Sequence, residues 1–345
     1  MSAWADLRLR RVGFRGGTHE ELVALHSIEA PVEAERGSSR MPHALDAYIA
    51  FARELPSQFD DHAWLVEGSE GDPVACGFCW SNSAGDPRVM ECDVLVRRDR
   101  RRRGIGARLF AAIRDETVKE GRSLLTWSTF DTVPAGESFS RRLGAGVARV
   151  NRTSELLLAD VDWTMIERWA RPERGRDLGY RLDMVDGVFP ERLREDAATF
   201  HQIMQTAPRE DLDVGDTIID ADFIAELDRA LFEAGRMRWT AFVREPDGAC
   251  VGGTEVTFEP SEPETLHQQN TGIGPAHRGI GLAKWAKATM LLRIRHELPE
   301  AVRVRTDNAF SNTPMLAIND ALGFRVVSTR TEWQLDVADL VRTAG

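Results

Sequence analysis

The sequence predicts an α/β protein built of two similar domains in tandem, each a mixed sheet flanked by helices. Three observations carry this. The chain has 345 residues, too many for one ordinary core and suited to two. The order of strand-like and helix-like segments runs once through the first half and then starts again. A short pattern, Arg-x-x-Gly-x-Gly/Ala, recurs at the same strand-to-helix turn: Arg101, Gly104 and Gly106 in the first half, Arg278, Gly281 and Ala283 in the second.

Residues 7–12 alternate as an opening strand, and 19–34 and 42–55 carry apolar residues at helical spacing. Residues 63–67 and 74–80 read as a hairpin about a Gly- and Pro-containing turn. A fourth strand follows over 89–96, then a helix over 105–119 that Gly121 stops, a fifth strand over 123–130, a short helix over 134–143 and closing strands over 147–158. An N-terminal domain is thus expected over 1–159. Residues 160–179 read as a connecting helix with Trp163, Ile166 and Trp169, then a linker of Arg, Pro, Glu and Gly composition ending at Arg176. A C-terminal domain over 180–345 repeats the order. It has a strand at 180–185, helices at 190–205 and 220–234, a hairpin of 238–243 and 249–258, a fourth strand at 265–273 and a helix at 282–298. A fifth strand at 302–306, a helix at 313–321 and last strands at 326–335 complete it.

Each glycine turn has the chemistry of an anion cradle. Glycine lets the backbone approach a ligand, and the first amides of the following helix have no partner within it. The helix dipole and nearby guanidinium groups favour a phosphate or pyrophosphate there. The candidate binding residues are Val94, Val96, Arg101, Arg102, Arg103, Gly104, Ile105, Gly106 and Ala107 at the first turn. At the second they are Ile273, His277, Arg278, Gly279, Ile280, Gly281, Leu282 and Ala283. Neither a Gly-x-x-x-x-Gly-Lys-Ser/Thr loop nor a Gly-x-Gly-x-x-Gly turn after a first strand is present.

Composition narrows the function classes. With 42% hydrophobic and 29% charged residues the chain reads as soluble and globular. No apolar run approaches the roughly 20 residues of a membrane span, no signal peptide is recognised, and a cytoplasmic location without membrane partners is expected. The net charge of −11 argues against a nucleic-acid partner. Arg97, Arg98 and Arg100 to Arg103 nevertheless make a basic patch suited to phosphates. Cys76 and Cys79 form a Cys-x-x-Cys, but no second pair stands at zinc spacing, so they read as reduced thiols in a buried strand and no metal is expected.

The paired motif resembles the signature of the GNAT superfamily of acyl-coenzyme A-dependent N-acetyltransferases. More of the family pattern follows in the second half, in Thr306, Asp307 and Asn308, in Asn312 to Met315, and in Ala321, Leu322, Gly323 and Phe324. Looser counterparts in the first half are Trp127, Ser128, Thr129, Gly136, Phe139 and Arg142 to Ala145. The resemblance covers almost the whole chain, as in tandem, mycothiol synthase-like actinobacterial proteins. It implies two domains arranged as a pseudo-dimer, in a monomer or a homodimer, with acetyl-CoA as cofactor and direct attack by the primary amine of a small metabolite. It leaves open a cysteinyl sugar amine as acceptor, or a non-catalytic acyl-CoA sensor or scaffold.

The family commonly places its base four or six positions before the last apolar residue of the fourth strand. Counting back from Ile273 gives Gln269 and His267, and counting back from Val96 gives Cys92 and Met90. His267 is therefore the expected base, and the second half the expected centre of chemistry. Glu91 and Asp93 fall on the opposite parity unless a bulge turns them inward, and Glu255 is a reserve base. Asn308 and Asn312 are read either as caps of the helix near Pro314 or, as the family implies, as contacts to the coenzyme arm. A tyrosine usually precedes the Leu-Gly-Phe turn as the acid. Asn319 and Ser140 stand there instead, so coenzyme A is expected to leave as a thiolate. Glu33, Glu35, Glu210, Asp211 and Asp213 are read as solvated surface or as attractors of a cationic amine.

Overall fold

The computed structural model describes residues 6–37, 44–172, 175 and 177–339. Pro42, where the second helix was expected to begin, and Glu173, Arg174 and Arg176 of the linker lie outside the described residues. In chain order the elements are β1 (Arg8–Val12), α1 (His19–Arg36), α2 (Leu45–Arg53), β2 (Phe59–Glu67), β3 (Pro73–Asn82), β4 (Val89–Val96), α3 (Ile105–Lys119), β5 (Leu124–Phe130) and α4 (Pro134–Arg142). Then come β6 (Gly146–Leu157), α5 (Trp163–Trp169), β7 (Arg181–Asp186), α6 (Arg194–Met204), α7 (Ala221–Glu233), β8 (Met237–Arg244) and β9 (Cys250–Phe258). The chain ends with β10 (Thr265–Ile273), α8 (Leu282–Glu297), β11 (Arg303–Ala309), α9 (Thr313–Leu322) and β12 (Arg325–Asp336). Among the described residues no helix is long and apolar enough to cross a membrane.

Two compact units form. Unit 1 gathers the residues up to Asn151, Glu210–Thr217 and those from Ser328 on; unit 2 gathers Arg152–Arg209 and Ile218–Val327. They differ from the contiguous spans 1–159 and 180–345 because the last strands exchange. β12 pairs antiparallel with β5, from Arg330 opposite Phe130 to Asp336 opposite Leu124. The second half of β6 borders β11, where Glu155 accepts from Arg305 Nε at 2.9 Å and Leu158 N donates to Val302 O at 2.9 Å. Strand alternation specifies which face is buried but not which edge a strand joins, so the sequence left this exchange unread.

In unit 1, α1 starts at a capping box, with Glu21 N donating to Thr18 Oγ1 and Thr18 N donating to Glu21 Oε2, and ends at Gly37 in the left-handed conformation. Its apolar stripe, Leu22, Leu25 and Ile28, packs with Leu65 and Leu95 on one face of the sheet. On the other face Leu109 and Ile113 of α3 pack with Met90 and Leu125. Each such leucine contributes about 1.5–3 kcal/mol of burial. Unit 2 repeats the plan: α8 packs Met290, Leu291 and Ile294 against Val256 and Leu266, while Ala197 and Phe200 of α6 and Ile224 of α7 pack with Phe242.

The central parallel pairs open partway along. β4 pairs with β5 only from Val89 to Glu91, and β10 with β11 only from Thr265 to Gln268. Beyond those points the two strands part, and the backbone of β4 and of β10 loses its neighbour on that side. A splay of the central parallel pair is therefore present in both units.

Candidate active site

The two glycine turns have the same construction. A 3₁₀ turn follows each strand, Arg98–Arg100 and Pro275–His277. Gly104 and Gly281 then take φ of 79° and 90° at the N-caps of α3 and α8, a conformation open to glycine at little cost. Neither helix has a side-chain cap, so the amides of Ile105, Gly106 and Ala107, and of Leu282, Ala283 and Lys284, remain as donors. Arg102 holds the left-handed position, φ 64°, that Gly279 holds at 83° in the other half.

The motif arginines act on the protein itself. Arg101 Nε donates to Val96 O at 3.0 Å, and its two terminal nitrogens reach Glu35 at 2.8 and 2.5 Å. Arg278 Nε donates to Ile273 O at 2.7 Å, and Nη2 to Thr206 Oγ1 at 2.6 Å. Each arginine thus straps the carbonyl that ends its strand to a helix or loop on the far side. Arg101 holds the Glu35 carboxyl below its usual range by hydrogen bonding, so Glu35 is not simple solvated surface. Arg97 and Arg100 pair with Asp72 and Asp99, and Arg102 and Arg103 are exposed beside the turn. His277 is bound to Tyr180, Nδ1 to hydroxyl, at 2.8 Å.

In unit 1 a groove of about 550 Å³ runs from this turn into the splay, within the size range of small-molecule sites. Val94, Val96, Gly104, Ile105, Gly106 and Ala107 line its cradle end, and Phe110, Trp127 and Phe139 its inner end. Trp127 is held there by Ser140, whose Oγ accepts from the indole at 2.8 Å and donates to Gly136 O. The serine at the expected acid position is thus fully buried and positions an aromatic wall. A second cavity of about 310 Å³ meets the groove where the strands part. Arg36, Cys92, Asp93, Trp127, Ser128 and Phe130 line both. Glu91, exposed at the last paired position of β4, lines the second cavity together with Glu332.

Charge in that wall is organised by Arg36, which reaches Asp93 through both terminal nitrogens at 2.7 and 2.8 Å and Glu33 at 2.5 Å. Burial opposes its charge, but the Asp93 carboxylate more than compensates and the guanidinium stays protonated. Glu332 accepts from Arg149, Asn151 and Arg330. Cys92 is buried, which pushes its thiol well above the ordinary range and keeps it protonated.

Strand register revises the parity count. β4 pairs with β3 without a shift, whereas β10 carries one extra residue against β9 between Gln268 and Thr271. This bulge turns the N-terminal part of β10 over. Leu266, packed with α8, becomes the counterpart of Met90, packed with α3, and His267 becomes the counterpart of Glu91. His267 is 2% exposed and, among the described residues, neither ring nitrogen has a hydrogen-bond partner. Burial first, then the charges of Arg236 and Arg305, push its pKa down to about 4. Glu255 sits in a buried network with Thr240, His201 and Arg238. Burial raises its pKa, but the His201 hydrogen bond and charge and the Arg238 charge leave it lowered overall.

The helix after the second glycine turn carries a different residue. Lys287 occupies on α8 the position that Phe110 occupies on α3, six residues into the helix in both. Asn308 lies on β11 rather than at a helix cap and accepts from Asn319 Nδ2 at 2.6 Å. Asn312 does hold the N-cap position of α9, but its side chain makes no capping bond. Cys76 and Cys79 are free and buried in β3. The ligand atoms of His62, Glu116 and Glu120 gather within 4.8 Å, a group not singled out in the sequence, and Arg11, Lys119 and Arg122 pair with its two glutamates.

A splayed mixed sheet, a glycine-turn anion cradle and a cavity meeting both at the splay are features of acyl-coenzyme A-dependent acyltransferases. Residues 23–145, in unit 1, match the model of the acetyltransferase (GNAT) family. No curated protein matches it by sequence. Among solved structures it is similar to a tandem GNAT protein from the clavulanic acid biosynthesis pathway, at 21% identity and a TM-score of 0.75 over 96% of this chain and 99% of that one. It is also similar to a GCN5-related N-acetyltransferase from Sphaerobacter thermophilus, at 13% identity and 0.60 over 95% and 96%. A third is a putative acetyltransferase from Pyrococcus horikoshii, at 11% and 0.54 over 96% and 90%. At these identities the likeness is one of fold. Family members generally use acetyl-CoA.

Proposed function

We propose that the chain is an acetyl-CoA-dependent N-acetyltransferase acting on the primary amine of a small metabolite, and that its chemistry runs in unit 1. The observation that carries this is the shared wall of the two cavities at the point where β4 leaves β5. The cradle residues fit the coenzyme: three uncapped amides and exposed Arg102 and Arg103 for its phosphates, and the unpaired edge of β4 for its amide-bearing arm. When bound, the coenzyme supplies an activated acyl thioester. Phe110, Trp127 and Phe139 exclude water from the inner end of the groove, which favours aminolysis over hydrolysis.

Glu91 is the base in this reading. An acceptor ammonium in the second cavity meets its carboxylate, which takes the proton directly or through a water and frees the amine lone pair. Asp93 is less suited, since Arg36 already neutralises it. The choice of unit 1 over unit 2 rests on the same comparison. His267 and Glu255 are both closed in among buried partners or charges, whereas Glu91 faces a cavity. Titration with acetyl-CoA and release of coenzyme A across an amine panel test this. Gly104→Val should abolish binding at the first turn, and Glu91→Gln should lower kcat by about 10²–10⁴ with acetyl-CoA affinity unchanged. Turnover that survived both variants but vanished with Gly281→Val would refute it.

A further inference from the structure

The acceptor cavity of unit 1 is not made by the first half of the sequence alone. Glu210–Thr217, which lies in the chain between α6 and α7, belongs to unit 1 as an extended arm. It is anchored at several points. Asp211 N donates to Ala148 O at 3.0 Å, Gln334 Nε2 donates to Asp211 O at 2.9 Å, and Asp213 N donates to Gln334 Oε1 at 3.0 Å. Arg88 clamps Asp213 at 3.0 Å and Asp86 at 2.8 Å, and Asp86 in turn accepts from Gly215 N at 3.1 Å. The Arg88 hydrogen bond, aided by those backbone amides, holds the Asp86 carboxyl down at about 2, so the clamp is charged across the physiological range.

Extended backbone sends alternate side chains to opposite sides. Asp211, Asp213 and Gly215 are exposed, while Leu212 and Val214 are half-buried and line the cavity that holds Glu91. Trp80 and Val89 add to its apolar lining; of its carboxylates, Asp93 is paired with Arg36 and Glu332 with Arg149 and Arg330, which line the same cavity, and the third is Glu91. The lining thus offers apolar contact to a hydrocarbon body beside the Glu91 carboxylate.

We propose that this arm is the specificity element of the acceptor site, and that Leu212 and Val214 select a primary amine carried on an apolar body over a sugar amine or a polyamine. The inference rests on the reading of unit 1 as the acetyl-transfer centre. Cys92 gives a readout that does not need the natural acceptor, because it lies in the wall common to both cavities and the arm covers one of them. Its alkylation by iodoacetamide is followed by mass spectrometry in the wild type, in Leu212→Ser/Val214→Ser and in Arg88→Ala, with buried Cys250 of unit 2 as internal standard. Phenethylamine and putrescine serve as acceptors.

Both variants should speed alkylation of Cys92 at least threefold with Cys250 unchanged. The wild type should prefer phenethylamine, and the double serine variant should raise its KM about tenfold with the acetyl-CoA KM unchanged. An unchanged Cys92 rate in both variants, or a wild type that acetylates putrescine and not phenethylamine, overturns the proposal. Acetyl-CoA should slow Cys92 alkylation in the wild type; if it does not while the arm variants still accelerate it, the function assigned to unit 1 fails and the arm's role as a wall stands.

Discussion

Lys287 is a charge placed where the fold has no counterpart for it, and its removal should stabilise unit 2. It is 2% exposed and its ammonium stands 5.4 Å from the Phe324 ring; among the described residues it has no hydrogen-bond acceptor. Burial lowers its pKa from 10.5 to about 7. That gap corresponds to about 5 kcal/mol at 1.36 kcal/mol per pH unit. The sign follows from linkage. Between pH 7 and 10.5 the unfolded chain binds more protons at this site than the folded one, so stability rises with pH through that window; below pH 7 the penalty is complete and constant. Methionine keeps the length and most of the volume. Lys287→Met should therefore stabilise unit 2 by several kcal/mol at pH 6.5, with the advantage shrinking to near zero by pH 10.5. Loss of the cation–π contact, about 0.5–2 kcal/mol, trims the gain. Urea or thermal unfolding of both proteins at pH 6.5, 8 and 9.5 measures this, and roughly 2–4 °C in Tm is expected per kcal/mol. A methionine variant no more stable than wild type at pH 6.5, or an advantage that grows with pH, would refute the reasoning.

Two further outcomes follow from unit 1. Arg102→Gly removes a left-handed non-glycine residue beside the cradle, so it should raise stability by about 1 kcal/mol while weakening acetyl-CoA binding several-fold and flattening its salt dependence; thermal unfolding and titration at two ionic strengths read the two effects separately. Arg36→Met leaves Asp93 and Glu33 without their shared cation and should cost about 3–5 kcal/mol, part of which Asp93→Asn in the same background restores. Urea midpoints of the single and double variants check this, and additive losses would contradict it.

The repeated motif, the restart of strand and helix order and the apolar periodicities were enough to read two α/β domains, both glycine turns and the GNAT likeness, because these features are local: a glycine that must take positive φ and a helix that must bury one stripe declare themselves in a few residues. The turn glycines Gly104 and Gly281, at positive φ before α3 and α8, were legible for the same reason. What tertiary structure decided are the properties that depend on a partner distant in sequence. A one-residue bulge in β10, visible only against β9, turned His267 onto the face of Glu91 rather than of Met90. Arg101 and Arg278 look like phosphate ligands in the motif, yet in space they hold the carbonyls that end their own strands, together with Glu35 and Thr206. The exchange of the last strands and the docking of Glu210–Thr217 on unit 1 are choices of edge and surface. Alternation along a strand encodes a buried face but no partner, so only the folded chain could bring Glu332, Leu212 and Val214 to the cavity of Glu91.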